Sequence, residues 1–380
     1  MNAGKSGNFF LILGIANGGL FLARQLRRQW PDATIYAVDV PDAIGQFSNT
    51  LNGFYPASTE DEIVARINEV VAAARGKQVK AFMCSNPMLE CIALHHPELF
   101  EILNFENGFD LYRSLVDKSE VDKLFRSLKM NCPEEYDLND LTDTAIRFPV
   151  VVKPLEKMST IGASKCAYLN SRNELKAYMD KMSQKSIDPK KLVCQQLVGG
   201  DNRWEYGYGG YFKDGIPVVD ICFHQFRQMP QGLCCYIREM TDARLVCRIK
   251  SLVDPFLEHT HYSGFLEFDI KEDENSRVLF LLDINPRPWR SVDILSVKLG
   301  DTSVFTPRIS ERCAVWRYPY RELFSFKNKK NVPYHECRAL TGRKRMKTIY
   351  ALSDSKDEGP SMEQRKRDRK DLICILKKKI

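Results

Sequence analysis

An apolar segment, a glycine-rich turn and an amphipathic helix follow one another near the amino terminus and restrict the fold most strongly. Residues Phe9 to Gly14 read FFLILG, a continuous apolar run typical of a strand that is buried on both faces. Leucine and alanine side chains then recur at helical spacing, and a second strand-like segment covers Thr34–Asp39. A strand, a helix and a strand in this order predict a β-α-β unit, and therefore an α/β domain built on a parallel sheet.

The second strand ends in Asp39, so a dinucleotide site has to be considered. The preceding turn, residues 14–19, has the glycine spacing GxxxGG instead of GxGxxG. It lacks the glycine that lets the backbone approach a pyrophosphate closely, which argues against an NAD site. Gly4-Lys5-Ser6 resembles the end of a phosphate-binding loop, but the earlier glycine of that motif does not stand in the sequence.

Length and cysteine content place further bounds on the chain. The 380 residues are enough for two or three packed domains. No apolar run approaches the roughly 20 residues of a membrane span, and the short run at 9–15 has no small-residue cleavage pattern behind it, so we expect neither a membrane span nor a signal peptide. The 12 cysteines form no CxxC pair, which argues against a zinc site and a disulfide scaffold. We interpret them as reduced core thiols in a cytoplasmic protein.

The positive charge is concentrated in the last part of the chain. Residues 311–380 contain 20 Lys/Arg and 9 Asp/Glu, which gives +11, so residues 1–310 carry −4 of the total of +7. A basic segment of this kind is able to bind nucleic acid, an acidic lipid or an acidic partner. No motif of interleaved aromatic and basic residues accompanies it, so we expect a solvated helical tail rather than a nucleic-acid-binding protein.

Periodicity predicts an alternation of strands and helices along the rest of the chain. Predicted helices cover residues 62–74, 87–96, 111–130, 171–183 and 244–259. Predicted strands cover 79–84, 148–154, 192–197 and the segments that hold Glu267 and Asp283, and a hairpin is predicted at 204–220 around Lys213-Asp214-Gly215.

Two strand-like segments carry the residues that point most directly to chemistry. Phe265-Leu266-Glu267-Phe268 is followed by Leu281-Leu282-Asp283-Ile284-Asn285-Pro286-Arg287. The oxygen atoms of Glu267, Asp283 and Asn285 are hard ligands, which suit Mg²⁺ better than zinc or iron. Because a magnesium cluster usually serves a nucleoside triphosphate, these residues indicate an ATP-dependent enzyme.

Two further segments supply groups that are able to bind phosphate. Lys153 ends a predicted strand and is able to reach phosphate oxygens as a point charge, although a lone lysine at a strand end is as often a surface residue. The loop at residues 157–165 is small and polar, and its backbone N–H groups and hydroxyls are able to cover a triphosphate. Its candidate contacts are Ser159, Thr160 and Gly162.

Two more polar segments are candidates for nucleotide or substrate contacts. The strand and turn at 195–202 offer backbone groups to adenine through Gln195, Gln196 and Val198, while Asp201 or Asn202 is suited to ribose hydroxyls. The segment at 224–230 includes Arg227, which suits a carboxylate or a phosphate. Each segment alone is more often an ordinary strand, and a lone His224 is more often structural than a base.

Taken in order, these residues resemble the ATP-grasp superfamily. Val151-Val152-Lys153-Pro154 and the loop after it are similar to the phosphate-covering segment of D-alanine–D-alanine ligases. The segments around Glu267 and Asp283 are similar to the metal strands of biotin carboxylase and carbamoyl phosphate synthetase. Residues 223–230 resemble a bacterial branch of carboxylate–amine ligases that includes D-aspartate ligase, and Lys118 in Val116-Asp117-Lys118 resembles the family's earlier ATP lysine. The resemblance covers about residues 8–310.

The resemblance implies a Rossmann-like pre-ATP-grasp domain followed by a two-lobe ATP-grasp fold, an α/β and α+β architecture. The implied units are the first domain at 1–110, a small lobe with a linker helix at 111–195, a large lobe with the magnesium site at 196–310, and a basic C-terminal extension at 311–380.

The implied reaction is formation of an acylphosphate from a carboxylate and ATP, followed by attack of an amine. Glu267, Asp283 and Asn285 are then expected to hold Mg²⁺, for which Mn²⁺ is a substitute, and Lys118 and Lys153 to bind phosphates. Arg287 is expected to stabilise the acylphosphate and the oxyanion. The expected partners are small carboxylate and amine substrates such as amino acids or peptides, and a homodimer is compatible with the sequence.

Three departures from the family pattern bear on the nucleotide site. Gln195-Gln196 stands where the family usually has a glutamate, and Asn202 where an acid usually meets the ribose, so Asp201 or Glu205 remains open as its substitute. Asp283 replaces a more common glutamate but is still a competent Mg²⁺ ligand. The alternative function is a degenerate ATP-grasp protein that binds nucleotide as a regulatory subunit without ligase activity.

Overall fold

A parallel four-stranded sheet forms the first domain. The computed structural model describes residues 7–138, 146–154, 167–229, 232–340 and 346–377. The sheet has the order β3-β2-β1-β4, and its paired strands run parallel, as the β-α-β pattern predicts. Its elements are β1 (Phe9–Leu13), α1 (Asn17–Gln29), β2 (Thr34–Asp39), β3 (Gly53–Pro56), α2 (Glu60–Ala73), β4 (Val79–Met83), α3 (Asn86–Glu90), a π-helical turn (Cys91–His95) and α4 (Leu99–Ile102).

Both faces of this sheet are covered, which explains why its strands are continuously apolar. One face packs on α2 and the region after β4 through Leu11, Ile67 and Ile92. The other face packs on α1, whose Phe21 also contacts Phe265 of the large sheet, with ring centroids 6.0 Å apart. Helix α1 is therefore the layer that joins the first domain to the rest of the body.

Two short helices connect the first domain to the next sheet. They are α5 (Phe109–Val116) and α6 (Lys118–Ser127), where the sequence predicted one helix over 111–130. That prediction was wrong because Asp117 adopts an extended conformation and its carboxylate accepts hydrogen bonds from the backbone N–H groups of Ser119 and Glu120. A side chain that caps a new helix in this way ends the preceding one.

A small antiparallel sheet follows, in the order β5-β8-β6-β7. Ser171 caps the helix of this layer by accepting a hydrogen bond from Glu174 N. The predicted phosphate-covering residues Ser159, Thr160 and Gly162 lie outside the described residues. The elements are β5 (Glu135–Tyr136), β6 (Val150–Pro154), β7 (Ala167–Leu169), α7 (Arg172–Gln184) and β8 (Leu192–Gln196).

The largest layer is a seven-stranded sheet in the order β13-β12-β9-β10-β11-β14-β15. The predicted hairpin at Lys213-Asp214-Gly215 joins β9 and β10, and both Asp214 and Gly215 have positive φ angles of 53° and 76°, as a tight hairpin turn requires. The elements are β9 (Glu205–Lys213), β10 (Ile216–Gln228), β11 (Cys234–Glu239), α8 (Ala243–Thr260), β12 (Gly264–Glu272), β13 (Leu279–Asn285), α9 (Ser296–Leu299), β14 (Cys313–Arg317), α10 (Pro319–Ser325), α11 (Tyr334–Leu340), β15 (Met346–Tyr350) and α12 (Gly359–Lys377).

The segment after residue 310 is integrated into this sheet. Strand β14 pairs antiparallel with β11, and β15 pairs parallel with β14. A buried ion pair between Arg24 and Asp357, at 2.9 Å, ties the segment back to α1 of the first domain. The described part of this segment also contains the helices α10, α11 and α12, and α12 follows these contacts.

Candidate active site

The β12–β13 hairpin brings the predicted metal ligands together. The strands are antiparallel, with Glu267 opposite Asn285 and Asp269 opposite Asp283. Because side chains two residues apart on a strand share a face, these four side chains lie on the same face of the sheet. The amide nitrogen of Asn285 donates to Glu267 Oε2 at 3.2 Å and lies 3.4 Å from Asp269 Oδ2. We call these four residues the acidic cluster.

Asp269 is a member of the acidic cluster that the sequence interpretation missed. Its carboxylate accepts a hydrogen bond from Gln225 Nε2 at 2.8 Å, so β10 contributes to the cluster as well. The available signal was the spacing Glu267-x-Asp269, since alternation along a strand places both carboxylates on one face. The matching spacing Asp283-x-Asn285 completes the set on the neighbouring strand.

Burial and like charge disfavour the ionised form of Glu267 in the acidic cluster. Glu267 is only 8% exposed. Its burial, followed by the negative charge of Asp269, raises the pKa of Glu267 well above its usual value, and the Arg287 charge only partly offsets this. A divalent cation would remove the repulsion between these groups, and all of the donors are the hard oxygen atoms that Mg²⁺ prefers. The donor set therefore fits magnesium.

Arg287 links the acidic cluster to the first domain. Its Nη2 donates to Asn285 Oδ1 at 3.1 Å, and its Nε donates to Asn86 Oδ1 at the start of α3. The guanidinium is therefore held between the metal-binding face and the carboxyl end of the parallel sheet. Since ligands of open α/β sheets bind beyond the carboxyl ends of the strands, this position suits a substrate contact.

A narrow cleft brings the two predicted phosphate lysines to the acidic cluster. Lys118 begins α6, Lys153 lies near the end of β6, and both line the cleft together with Asp283. Apolar side chains of Phe125, Val193 and Leu282, among others, complete the walls. Three segments far apart in sequence thus converge on one cleft, which is lined by two lysines and by the carboxylates of Asp122 and Asp283.

The predicted adenine strand lies at the edge of this arrangement. Gln195 is buried, and its amide donates to Asp122 Oδ2 at 3.0 Å. Gln196 pairs through its backbone N–H with Glu134 O at 2.7 Å. Val198 is buried just beyond the strand. The side chain of Gln195 therefore binds helix α6, and the backbone N–H of Gln196 binds the residue just before β5.

The residues considered for ribose binding differ in how accessible they are. Asn202 is 1% exposed, and its amide donates to Asn331 Oδ1 at 2.9 Å, which makes it unsuited to a ribose contact. Asp201 caps the short turn that follows it and pairs with Arg203 at 3.1 Å. Glu205 is half-buried and lies 3.4 Å from Lys271 Nζ. Of the two candidate acids, Glu205 lies beside a lysine and Asp201 beside an arginine.

Arg227 has a structural position that the sequence did not reveal. It was interpreted as suited to a carboxylate or phosphate, but its guanidinium donates to Val332 O at 3.0 Å and to Ser325 Oγ at 2.9 Å. It also lies over the ring of Tyr334, 4.4 Å from the ring centroid. These partners all come from the segment after residue 310, so Arg227 anchors that segment to the sheet.

The glycine-rich turn after β1 is packed against the loop that carries Arg287. A Cβ atom on Gly18 would lie 2.4 Å from the carbonyl oxygen of Pro288, so only glycine permits this approach. The Asp39 carboxylate accepts hydrogen bonds from Ile15 N at 2.6 Å and Val40 N at 2.8 Å. The Asp39 carboxylate thus binds the backbone of the turn after β1, which agrees with the argument against an NAD site.

Comparisons with known proteins relate this arrangement to known enzymes. No family model matches the chain. A D-aspartate ligase from Enterococcus faecium (strain Aus0004) is 23% identical over 247 residues, or 60% of this chain and 58% of the relative. A D-alanine–D-alanine ligase from Staphylococcus carnosus (strain TM300) is 25% identical over 217 residues, or 50% of this chain and 57% of the relative. The chain thus spans less than two thirds of the curated relatives that it matches.

Solved structures match over more of the chain. N5-carboxyaminoimidazole synthetase from Staphylococcus aureus superimposes with a TM-score of 0.59 at 13% identity, covering 81% of this chain and 79% of that one. The biotin carboxylase domain of Hydrogenobacter thermophilus 2-oxoglutarate carboxylase gives 0.60 at 10% identity, covering 78% and 67%. An L-amino acid ligase from Bacillus licheniformis gives 0.56 at 12% identity, covering 77% and 71%. The chain has an ATP-grasp fold.

The ATP-grasp fold accounts for the layered arrangement around the cleft. The small antiparallel sheet supplies Lys153 and Val193, and the large sheet supplies Leu282 and Asp283. The fold class predicted from the sequence is confirmed by these structural matches. Over the described ranges, no helix of the chain combines the length and apolar character needed to cross a membrane.

Proposed function

We propose that the protein is an ATP-dependent carboxylate–amine ligase. It activates a carboxylate as an acylphosphate, joins the acyl group to an amine as an amide, and releases ADP and phosphate. The observation that carries the proposal is the cleft that Lys118 and Lys153 line together with Asp283 of the acidic cluster. Cations beside a magnesium-type oxygen cluster are the arrangement that phosphoryl transfer requires.

The acidic cluster would hold Mg²⁺ through Glu267, Asp283 and Asn285, with Asp269 beside them. The ion supplies charge neutralisation of the β- and γ-phosphate oxygens when it is bound. Lys118 and Lys153, which line the same cleft, bind phosphate oxygens and add positive charge around the terminal phosphoryl group. This positioning, rather than covalent chemistry by the protein, accounts for the transfer to a carboxylate oxygen.

Arg287 acts after that transfer. Its guanidinium stabilises the acylphosphate and then the oxyanion that forms when the amine attacks the acyl carbon. Two contacts fix it for this role, namely Asn285 Oδ1 on the metal strand and Asn86 Oδ1 in the first domain. The arginine is thus oriented before substrate binds, which is the condition under which electrostatic stabilisation is most effective.

Amino acids are the substrate class that we propose. The names of the D-aspartate ligase, the D-alanine–D-alanine ligase and the L-amino acid ligase all specify amino acids. Arg290 supports this choice, because it is a half-buried cation close enough to Arg287 to feel its charge. Burial lowers the pKa of Arg290 and the Arg287 charge acts in the same direction, whereas the Glu267 carboxylate acts against them. A carboxylate that does not react, such as the one that an amino acid retains, would neutralise it.

The test is nucleotide analysis with a panel of L- and D-amino acids and short peptides. We expect amino-acid-dependent release of ADP and phosphate, with the amide product identified by mass spectrometry. Glu267→Gln and Asp283→Asn should remain folded and lose at least about 100-fold in rate, because a magnesium ligand contributes several kcal/mol to the transition state. Glu311→Gln, at an exposed position, is the matched control with full activity. Full turnover in both cluster variants would disprove the metal assignment.

The same assay tests the alternative function of a regulatory subunit. Tight ATP binding without turnover for any member of the panel would favour a protein that binds nucleotide and does not ligate. Release of AMP and pyrophosphate would instead indicate adenylation and would rule out the acylphosphate.

A further inference from the structure

We propose that the first domain binds a Zn²⁺ ion through Glu60, Cys91 and His96. The three side chains come from the first residue of α2, the start of the π-helical turn and the residue that follows that turn. A carboxylate oxygen, the thiol sulfur and an imidazole nitrogen of these residues all lie within 4.8 Å of one another. None of them belongs to the acidic cluster, so this site is independent of the proposed ligase function.

The π-helical turn is what brings Cys91 and His96 together. The backbone N–H of His96 donates to Cys91 O at 3.1 Å, a bond that spans five residues and makes the turn wider than an α-helix. Two of the three ligands are therefore positioned by backbone structure. Glu60 reaches them from α2, where its other contact is with His95 Nδ1 at 2.8 Å. A site assembled in this way has no CxxC spacing, so a search for that motif does not find it.

The chemistry of the ligands selects zinc over magnesium. Sulfur and imidazole nitrogen are borderline or soft donors, which suit Zn²⁺, whereas Mg²⁺ takes oxygen ligands. Zinc bonds of about 2.0 to 2.3 Å place tetrahedral ligand atoms roughly 3.3 to 3.8 Å apart. The present separation of at most 4.8 Å closes to that range by small rotations of Glu60 and His96, whose side chains are 53% and 23% exposed. Water would take the fourth position.

Glu98 occupies the position of a supporting carboxylate. Its Oε1 lies 3.0 Å from His96 Nδ1. When that nitrogen donates to the carboxylate, Nε2 carries the lone pair that a metal needs, and the ring orientation is fixed. A cysteine thiol is ordinarily protonated at neutral pH. Formation of the Zn–S bond therefore releases one proton to solvent.

The test is titration of the full chain with Zn²⁺, and with Co²⁺ as a spectroscopic substitute, after treatment with a chelator. Excess Mg²⁺ and the Glu267→Gln background keep the acidic cluster out of the measurement. We expect one tight site per chain and a thiolate-to-cobalt charge-transfer band. Glu60→Gln, Cys91→Ser and His96→Gln should each weaken Zn²⁺ binding at least tenfold, and Glu98→Gln roughly tenfold through loss of ring orientation.

Two exposed residues provide matched controls. Cys247→Ser and His259→Gln remove a thiol and an imidazole elsewhere and should leave the affinity and the band unchanged. Because Cys91 is buried, its variant is checked for folding by circular dichroism. Should it misfold, the partly exposed positions Glu60 and His96 decide the question. A charge-transfer band that survives Cys91→Ser in a folded protein, or wild-type affinity in both Glu60→Gln and His96→Gln, would overturn the site.

Discussion

Asn285 lies directly opposite Glu267 on antiparallel strands, and its amide nitrogen donates to the Glu267 carboxylate at 3.2 Å. The carbonyl oxygen of the same amide accepts a hydrogen bond from Arg287 at 3.1 Å. One neutral side chain therefore connects the acidic cluster to the arginine that we assign to the acyl transfer. The metal site and the acyl site share this residue.

Replacement of Asn285 should consequently affect both sites. In Asn285→Ala, we expect the Mg²⁺ concentration for half-maximal activity and the KM for the carboxylate substrate each to rise roughly tenfold, because a hydrogen bond to a charged group contributes about 1.5 to 3 kcal/mol. Asp269→Asn is the contrasting variant. Asp269 bonds the amide groups of Gln225 and Asn285 in the cluster, so its replacement should act mainly on the Mg²⁺ requirement. Equal effects of the two variants on the carboxylate KM would contradict the shared role.

Arg227 should contribute to stability rather than to catalysis. Its guanidinium bonds Val332 O and Ser325 Oγ and lies over Tyr334. Arg227→Ala leaves buried acceptors without a donor and removes the cation–π contact, so the free energy of unfolding should fall by about 2 to 4 kcal/mol. Urea denaturation measures this loss, with exposed Arg244→Ala as the neutral control. A large loss of activity at unchanged stability would instead support a substrate contact.

The buried Asp293 carboxyl should make the protein less stable as the pH rises. It is 6% exposed, and burial raises the pKa of its carboxyl to about 6. The folded state therefore holds the proton more tightly than the unfolded state, so stability is lost as the pH rises from about 4 to 6. Its Oδ2 accepts from Leu352 N at 3.2 Å, a bond that an amide oxygen preserves.

Asp293→Asn should remove that loss. We expect the variant to gain up to about 3 kcal/mol at pH 7.5 and little at pH 4, because about two pKa units correspond to that amount. Urea denaturation at both pH values measures the gain, and Asp301→Asn at an exposed position is the control. If the stability difference between the variant and the parent is the same at both pH values, the Asp293 pKa is not raised.

Much of the fold followed from local patterns in the sequence. The apolar run at Phe9 to Gly14 and the period-2 alternation of the 204–220 hairpin are short-range signals, and both elements form as predicted. The prediction of one helix over 111–130 was wrong because the Asp117 side chain caps a new helix there. This cap outweighs the helix propensity of the surrounding residues. Strands β14 and β15 were not expected, since basic charge dominated the interpretation of that segment.

The site shows the same division between local and distant information. The spacing of Glu267 and Asp269 is local and was available in the sequence, although Asp269 was missed. The partners of Arg227 are not available, because Ser325 and Val332 lie 98 and 105 residues away along the chain. A polar side chain on a strand has no sequence signal that tells a ligand contact from a contact with a distant segment of its own chain.

The most direct test of the proposed reaction follows the carboxylate oxygen. A carboxylate substrate found with the amino-acid panel is labelled with ¹⁸O and incubated with its amine partner, ATP and Mg²⁺. Formation and breakdown of an acylphosphate transfers one labelled oxygen to the released phosphate, so we predict ¹⁸O-phosphate in equal amount to the amide and to ADP. Amide formation with unlabelled phosphate, or with the label in AMP, would contradict the account.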